Sequence, residues 1–411
     1  MSGISLTKNI GWTFVGNTVY AACQLGVLMV LAKLTSPEGV GQFALAIAIA
    51  GPVFALANLN LRSVLMTDVR GETPFAEYLA LRLVSSSLAI VSVAAIAAMA
   101  STNPSTAIII CIYGFAKFFE SMSDCMYGLL QRREHMKTIS QSLILRSLSA
   151  VVLMTIILFL TESVVLGTAA YLVSWSFIFI LFDASKARAL QRSDTGSGSL
   201  RPRFRAAGMR ALFVFALPLG ILTALNLLSI NIPRYVIVGE LGEAKLGYFV
   251  AIAAFITAGS TVVSAMTQSA TPRLARYFVE SQRQFVKLLG KVIVIALVVG
   301  FAGIVAAWAI GPLVLSILYT PAYAAYNDLF VWIMVSAAIL YLSSVTGSAI
   351  TAARSFRSQA ALAAVATAAV LVASLFLVTT HGLNGAAMAM CCGFALKLLG
   401  EVGILFTLLR N

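Results

Sequence analysis

Charge is what this sequence most lacks. Only 10% of its 411 residues are Asp, Glu, Lys or Arg, while 60% are hydrophobic; soluble domains carry roughly 25% charged residues. A soluble chain of this length would need far more polar surface, so the composition indicates a polytopic membrane protein. Histidine is scarcer still. His135 and His381 stand far apart in loops, which argues against a histidine metal centre. The five cysteines, Cys23, Cys111, Cys125, Cys391 and Cys392, lie in apolar stretches with no C-x-x-C spacing. They are expected to pack as small apolar residues, not as disulfides or metal ligands.

Nucleotide and catalytic motifs are missing too. Gly290-Lys291 is followed by Val292, so no phosphate-binding G-x-x-x-x-G-K-[ST] loop exists. No H-E-x-x-H occurs, and Gly196 and Gly198 follow no strand, which removes a dinucleotide fingerprint. No polar loop is long enough to fold into a catalytic domain. The sequence therefore predicts no enzyme and no bound cofactor. It predicts no nucleic-acid partner either: the net charge of +13 is spread through loops between apolar spans and not gathered on one face. The first apolar run, about 22 residues, is longer than the apolar region of a cleavable signal, so none is expected.

What is present is a series of long apolar runs. Measured against the ~20 residues that a helix needs to cross hydrocarbon, they number about twelve. Six lie before the middle of the chain, from Trp12–Leu34 to Val164–Phe182. Six lie after it, from Ala211–Ile232 to Leu383–Leu408. Between them, Lys186 to Arg210 carries seven basic residues against one acid, Asp194, around a Gly/Ser-rich centre. This predicts three segments: a six-helix lobe over residues 1–185, a flexible basic cytoplasmic linker over 186–210, and a second six-helix lobe over 211–411. With the N-terminus inside, the outer loops keep only Lys33, Arg234 and Lys245, and the spans hold Lys117, Arg146 and Lys397. The other basic residues of the 28, Arg62, Arg70, Arg82 and Arg354 among them, are assigned to the cytoplasmic side. Both termini are then predicted to be cytoplasmic.

The halves repeat. LTSPEGVGQFALAIA after the first span and LGEAKLGYFVAIA after the seventh align Gly41 with Gly247 and Phe43 with Phe249. Spans one and seven share a direction, so the repeats are parallel. Transporters of this kind hold substrate between the halves and alternate by rocking.

Ionisable groups inside spans are costly and usually face a cavity or a partner. Lys117, Glu120 and Asp124 share one helix face. Arg146 lies in the fifth span, and Lys397 and Glu401 lie in the last. Two readings follow. In one, Lys117, Arg146 and Lys397 line a wet cavity that receives an anionic headgroup, while Glu120, Asp124 and Glu401 balance charge or carry a coupling H+ or Na+. In the other, Lys117–Glu120, Asp124–Arg146 and Lys397–Glu401 are structural ion pairs. Asn17, Gln24, Asn226 and Asn231, on equivalent spans one and seven, would hydrogen-bond sugar hydroxyls or simply join helices. Pro233-Arg234 is expected to end span seven at the outer face, where Arg234 is either a phosphate ligand or an interfacial cation. Pro218, and Pro52 in span two, are expected to kink their helices.

The ordered segments LTSPEGVGQFALAIA, NIPRYVIVGELGEAKLGYFVAIA from Asn231, SATPRLARYF from Ser269 and GPLVLSILYTPAYAAYNDLFVWIM from Gly311 span nearly the whole chain. Through them the sequence resembles the polysaccharide-transporter branch of the multidrug/oligosaccharidyl-lipid/polysaccharide (MOP) exporter superfamily, the Wzx-type flippases. The resemblance implies an all-α membrane fold of about twelve helices in two lobes. It also implies flipping of undecaprenyl-pyrophosphate-linked oligosaccharide for O-antigen, capsule or exopolysaccharide across the bacterial inner membrane. Implied partners are the lipid-linked substrate, membrane lipids, and a polysaccharide polymerase with its chain-length machinery. A cation-coupled multidrug exporter of the same superfamily and a non-transporting scaffold remain as alternatives.

Overall fold

In hydrocarbon every backbone N–H and C=O must find its partner within the protein, and a helix does this within one segment. All regular structure among the described residues is accordingly helical. The computed structural model describes residues 6–67, 73–100, 103–195, 200–353 and 355–410. Arg70, Arg354, Gly196 and Gly198 lie outside the described residues.

The first helices are α1 (Leu6–Leu34), α2 (Pro37–Asn58), the short α3 (Leu61–Thr67), α4 (Phe75–Ala100), α5 (Pro104–Arg132) and α6 (Met136–Thr161). Then α7 (Val164–Ile178) passes through a π-helical turn, Phe179–Asp183, into α8 (Ala184–Thr195). The remainder are α9 (Ala206–Leu241), α10 (Glu243–Ala253), α11 (Phe255–Glu280), α12 (Gln282–Leu318), the one-turn α13 (Pro321–Ala324), α14 (Asn327–Ala352) and α15 (Phe356–Arg410). Local chemistry sets several of the ends. Asn103 caps α5 by accepting from the Ser105 N–H, with Pro104 at the first helical position, and Ser163 caps α7.

Among the described residues, eleven helical segments are long and apolar enough to cross a membrane. The last, Ser358–Arg410, has 53 residues. Straight, it would run about 80 Å at 1.5 Å per residue, far beyond the ~30 Å hydrocarbon core. It instead turns back at Gly382, whose φ of 58° and ψ of −134° suit only glycine. Beyond the turn, Gly385 packs on the Leu377 carbonyl, Gly393 on Val370 and Gly400 on Leu362, so the two arms run antiparallel. Eleven segments thus make twelve crossings. Large apolar side chains such as Phe159, Phe301, Trp308 and Phe376 stand exposed, as acyl chains around the protein require.

Three expectations need correction. Within the stretch 186–210, the described residues 186–195 and 206–210 are helical: α8 runs to Thr195 and α9 starts at Ala206. Ala, Leu, Gln, Lys and Arg favour helix, and Ala187 and Leu190 bury against a core formed with Leu61, Leu65, Met126 and Leu129. Pro233 does not end span seven; α9 continues through Pro218 and Pro233 to Leu241 and stops before Gly242, at φ 84°. Arg82 is not a loop cation but sits inside α4, fully buried.

The chain divides into two compact units, Met1–Thr35 with Gln42–Leu227, and Ser36–Gly41 with Leu228–Asn411. In the first unit α1 packs on α6, and α5 contacts both α4 and α7. Gly16 lets α1 approach Ser140, whose Oγ donates to the Trp12 carbonyl at 2.7 Å. In the second unit α14 is central, contacting α11, α12 and α15. Here too lies a reciprocal contact between the glycines of the sequence repeat. Gly41 abuts the backbone carbonyl of Glu243, and Gly247 abuts that of Pro37.

Candidate functional site

Of the predicted site residues of the first unit, Lys117, Glu120 and Asp124 lie on α5 and Arg146 on α6, with Asn17 and Gln24 on α1 and Asn226 on α9. Lys117 and Glu120, one turn apart on α5, form an ion pair that is about one-fifth exposed. Asp124, two turns below Lys117, does not pair with Arg146. It accepts from Arg82 Nη2 at 3.3 Å and Arg62 Nη1 at 3.2 Å. The expected Asp124–Arg146 pair fails because α3 and α4, not α6, bring cations against that face of α5. Arg82, 0% exposed, also donates to the Asn58 carboxamide oxygen and to Ser121 Oγ. Arg62 Nε donates to Gln131 Oε1 at 2.9 Å. This network clamps the break between α2 and α3, where Leu59 and Asn60 both take φ of 50°, an uncommon left-handed conformation for residues other than glycine.

Arg146 is 2% exposed. Its guanidinium lies 4.3 Å from the Trp175 ring centroid and 5.7 Å from that of Tyr127. Among the described residues, its Nε and Nη1 find no hydrogen-bond acceptor. Trp175 continues into an aromatic ladder: Tyr171 stacks on it at 4.8 Å, Tyr113 on Tyr171 at 5.9 Å, and Phe43 meets Tyr113 edge-on at 5.5 Å. Gln24 joins the ladder by donating to the Tyr171 hydroxyl at 3.3 Å. Asn17, on the same helix as Gln24, is exposed, as is Asn226 at the end of this unit.

The second unit holds Asn231, Arg234, Lys397 and Glu401. Arg234 Nη1 donates to Asn231 Oδ1 at 3.0 Å, one turn back on α9. Arg234 also lines a cavity of about 310 Å³ with Thr257, Ser260, Tyr341, Ser344 and Met390. The cavity adjoins the break between α10 and α11 at Ala254. A break frees carbonyls, and two tyrosines take them up: Tyr319 donates to Ala251 O at 2.6 Å and Tyr341 to Ile256 O at 2.7 Å. Glu401, 2% exposed, accepts from Ser343 Oγ at 2.8 Å and Thr346 Oγ1 at 2.6 Å. Gly347 leaves the space its carboxylate fills. Lys397, one turn before Glu401, is half-buried.

Sequence reasoning missed Arg62, Arg82 and Asp183. In the sequence the first two read as cytoplasmic-side charges at the ends of spans. Asp183 stood just past the predicted end of span six, yet it is buried at the π-helical turn. The one linear hint was an acid directly after an apolar run.

Among the described residues, no three His, Cys, Asp or Glu side chains gather as a metal site would need. The deciding comparison is with protein families: residues 6–278 match the model described as "Polysaccharide biosynthesis protein". The chain belongs to this family. A curated relative, the capsular polysaccharide biosynthesis protein CapF of Staphylococcus aureus, is 25% identical over 386 residues, 93% of this chain and 95% of CapF. Among solved structures, a multidrug resistance MATE family transporter of the MOP superfamily, in an inward-facing conformation, matches with a TM-score of 0.78 at 14% identity, covering 97% of this chain and 99% of that one. The lipid II flippase MurJ matches with a TM-score of 0.71 at 12% identity, covering 96% and 87%. Those identities speak for the fold alone. This polysaccharide biosynthesis protein is a multi-pass membrane protein with the fold of MOP superfamily transporters.

Proposed function

We propose that this protein is a secondary transporter that flips an undecaprenyl-pyrophosphate-linked oligosaccharide from the cytoplasmic to the periplasmic leaflet of a bacterial inner membrane. The oligosaccharide is an O-antigen, capsule or exopolysaccharide repeat unit. Two six-helix lobes, residues 1–185 and 211–411, alternate about a cleft, with 186–210 and both termini on the cytoplasmic side. Support comes from the family, from a relative named for capsular polysaccharide biosynthesis, and from a fold shared with a lipid II flippase.

The observation that carries the reading is the state of Arg146. A guanidinium buried with unsatisfied N–H groups is costly unless something anionic or carbonyl-bearing visits it. The neighbouring ladder of Tyr171, Tyr113 and Phe43 offers flat faces and hydroxyls to a sugar. Lys117, Arg234 and Lys397 add positive charge for the pyrophosphate; Asn17, Gln24, Asn226 and Asn231 offer polar contacts; Glu120, Asp124 and Glu401 hold the charge balance. Membrane lipids and the polymerase with its chain-length machinery are the partners of this reading.

The multidrug-export reading draws on the MATE likeness. A cavity for cationic drugs should be net acidic, whereas Lys117, Arg146 and Lys397 are balanced by Glu120, Asp124 and Glu401, which counts mildly against that reading. Deleting the gene tests the function. Surface glycan should disappear while a complete lipid-linked repeat unit, identified by mass, builds up. Unchanged surface glycan without the intermediate, in a strain lacking a second flippase, overturns the reading.

A further inference from the structure

The two spans on either side of the basic stretch are longer than hydrocarbon is thick. Val164–Ser193 has 30 residues and Ala206–Leu241 has 36. At 1.5 Å per residue they run about 45 Å and about 54 Å, against a hydrocarbon core of ~30 Å. Their ends therefore reach into the headgroup layer. Exposed apolar side chains show where hydrocarbon stops. Phe177, Ile180 and Leu181 stand exposed, and the exposed Lys186 and Arg188 follow on α8. On α9, Phe213, Val214 and Phe215 stand exposed, and the exposed Arg210 precedes Val214 by one turn.

This edge of the first unit is folded. Ala187 and Leu190 of α8 pack into the same core as Leu200, Met209 and Leu212. The Arg203 N–H donates to the Ala76 carbonyl at 2.9 Å, and Gly208 lies against the Glu77 carboxylate. That buried carboxylate draws Arg205 to 4.0 Å. The exposed cations Lys186, Arg188, Arg203 and Arg210 outnumber it. Phe204 stands between Arg203 and Arg205, 60% exposed. A general excess of cations on one side of a membrane guides insertion and needs no fixed geometry. Here the cations ride on a packed edge at headgroup depth, beside an exposed ring. An acidic protein or a free anion would answer the charge but not the ring. An anionic lipid answers both: its phosphate meets the cations and its acyl chains meet Phe204.

We propose that the edge formed by α8 and residues 200–210 is a binding site for anionic phospholipid. Lys186, Arg188, Arg203 and Arg210 hold the headgroups, and Phe204 sits at the acyl boundary. The lipid ties residues 200–210 to the membrane surface. In the orientation proposed above this is the cytoplasmic leaflet. The site itself requires only that the two flanking spans cross the bilayer, whatever the protein transports.

The test is thermal unfolding of the purified full chain in neutral detergent, titrated with phosphatidylglycerol or with phosphatidylcholine of the same acyl chains. Phosphatidylglycerol should raise the melting temperature, phosphatidylcholine should not, and added salt should weaken the effect. A cation near an anionic lipid surface is worth about fivefold in affinity. Arg188→Gln combined with Arg203→Gln should therefore need about 25-fold more phosphatidylglycerol for half its effect. Both side chains are exposed, so the fold should survive their loss. Arg283→Gln combined with Lys287→Gln, which removes two exposed cations of the second unit, should leave the titration unchanged. Phe204→Ser should weaken protection while keeping its salt dependence. An equal response to both lipids, or an equal loss in the two double variants, overturns the proposal. Protection by inorganic pyrophosphate or by polyglutamate that matches phosphatidylglycerol also overturns it, and assigns the edge to a free anion or an acidic protein. Glycan export is not read, so failure here leaves the proposed function standing.

Discussion

Gly41 and Gly247 make the same contact from opposite sides. Gly41 lies against the carbonyl of Glu243, Gly247 lies against the carbonyl of Pro37, and each carbonyl sits four residues before the other glycine. Equivalent positions of the sequence repeat thus exchange equivalent partners within the second unit. Both positions need the absence of a Cβ, because the atoms in the way are backbone and cannot rotate aside.

Gly41→Val and Gly247→Val should therefore be destabilising to a similar degree. Overpacking costs ~1–3 kcal/mol, and a backbone obstacle puts these changes at the upper end. Thermal unfolding of the purified protein in detergent should show both melting well below wild type. Gly239→Ala, where a Cβ meets open space, should not. Equal melting of all three would mean that the close crossing is not a feature of the folded protein.

Arg82→Leu should cost more than Arg62→Ala. Arg82 is fully buried and joins Asn58, Ser121 and Asp124, while Arg62 is about 30% exposed. Asp124 keeps Arg62 as a partner, so the cost comes from the buried Asn58 and Ser121 oxygens that lose a donor, at ~1–3 kcal/mol for each unsatisfied contact. Arg82→Lys should not rescue it, since an ammonium lacks the planar fork that spans three partners. The amount of folded protein in membranes, by fluorescence size-exclusion, is the readout. Equal amounts for Arg82→Leu and wild type would contradict the clamp at the α2–α3 break.

Glu401 is satisfied by two hydroxyls of α14. Glu401→Gln keeps the shape and should preserve the folded protein. The paired change Ser343→Ala with Thr346→Val strands a buried carboxyl and should lower the melting point, by ~1–3 kcal/mol for each unsatisfied polar contact. If the double variant melts with wild type, the carboxyl has other means of support.

Helices and their number were legible because bilayer thickness imposes a length on every span. The repeat was legible because Gly41 and Gly247 answer to a steric need that leaves a trace in the sequence. Partnerships among charges were not. Asp124 and Arg146 fall at similar depth along the chain, yet helix packing turns Asp124 toward α3 and α4 and Arg146 toward Trp175. Asp183 escaped notice because apolarity drops after Phe182, while the helix goes on burying side chains into α8. Pro233 misled because a proline inside a long membrane helix loses one hydrogen bond without ending the helix.

Cation variants within the proposed cavity should separate function from folding. Lys117→Ala and Arg146→Ala should lower glycan export while the protein remains in the membrane at normal levels. Trp175→Leu, which removes the ring beneath the guanidinium, should lower export in the same direction but less steeply. Quantified surface glycan against protein level in the same cells is the measure, and full export by both cation variants would remove the case for a cationic cavity.

The most direct measurement is transbilayer movement of an undecaprenyl-pyrophosphate-linked oligosaccharide in vesicles that hold the purified full chain, followed by the accessibility of its sugar to a membrane-impermeant reagent. Wild type should move it faster than protein-free vesicles. Arg146→Ala should slow it by about tenfold or more, the loss expected from a charge-assisted hydrogen bond of ~1.5–3 kcal/mol. Movement by wild type no faster than in empty vesicles, or an Arg146→Ala rate equal to wild type, would contradict the account.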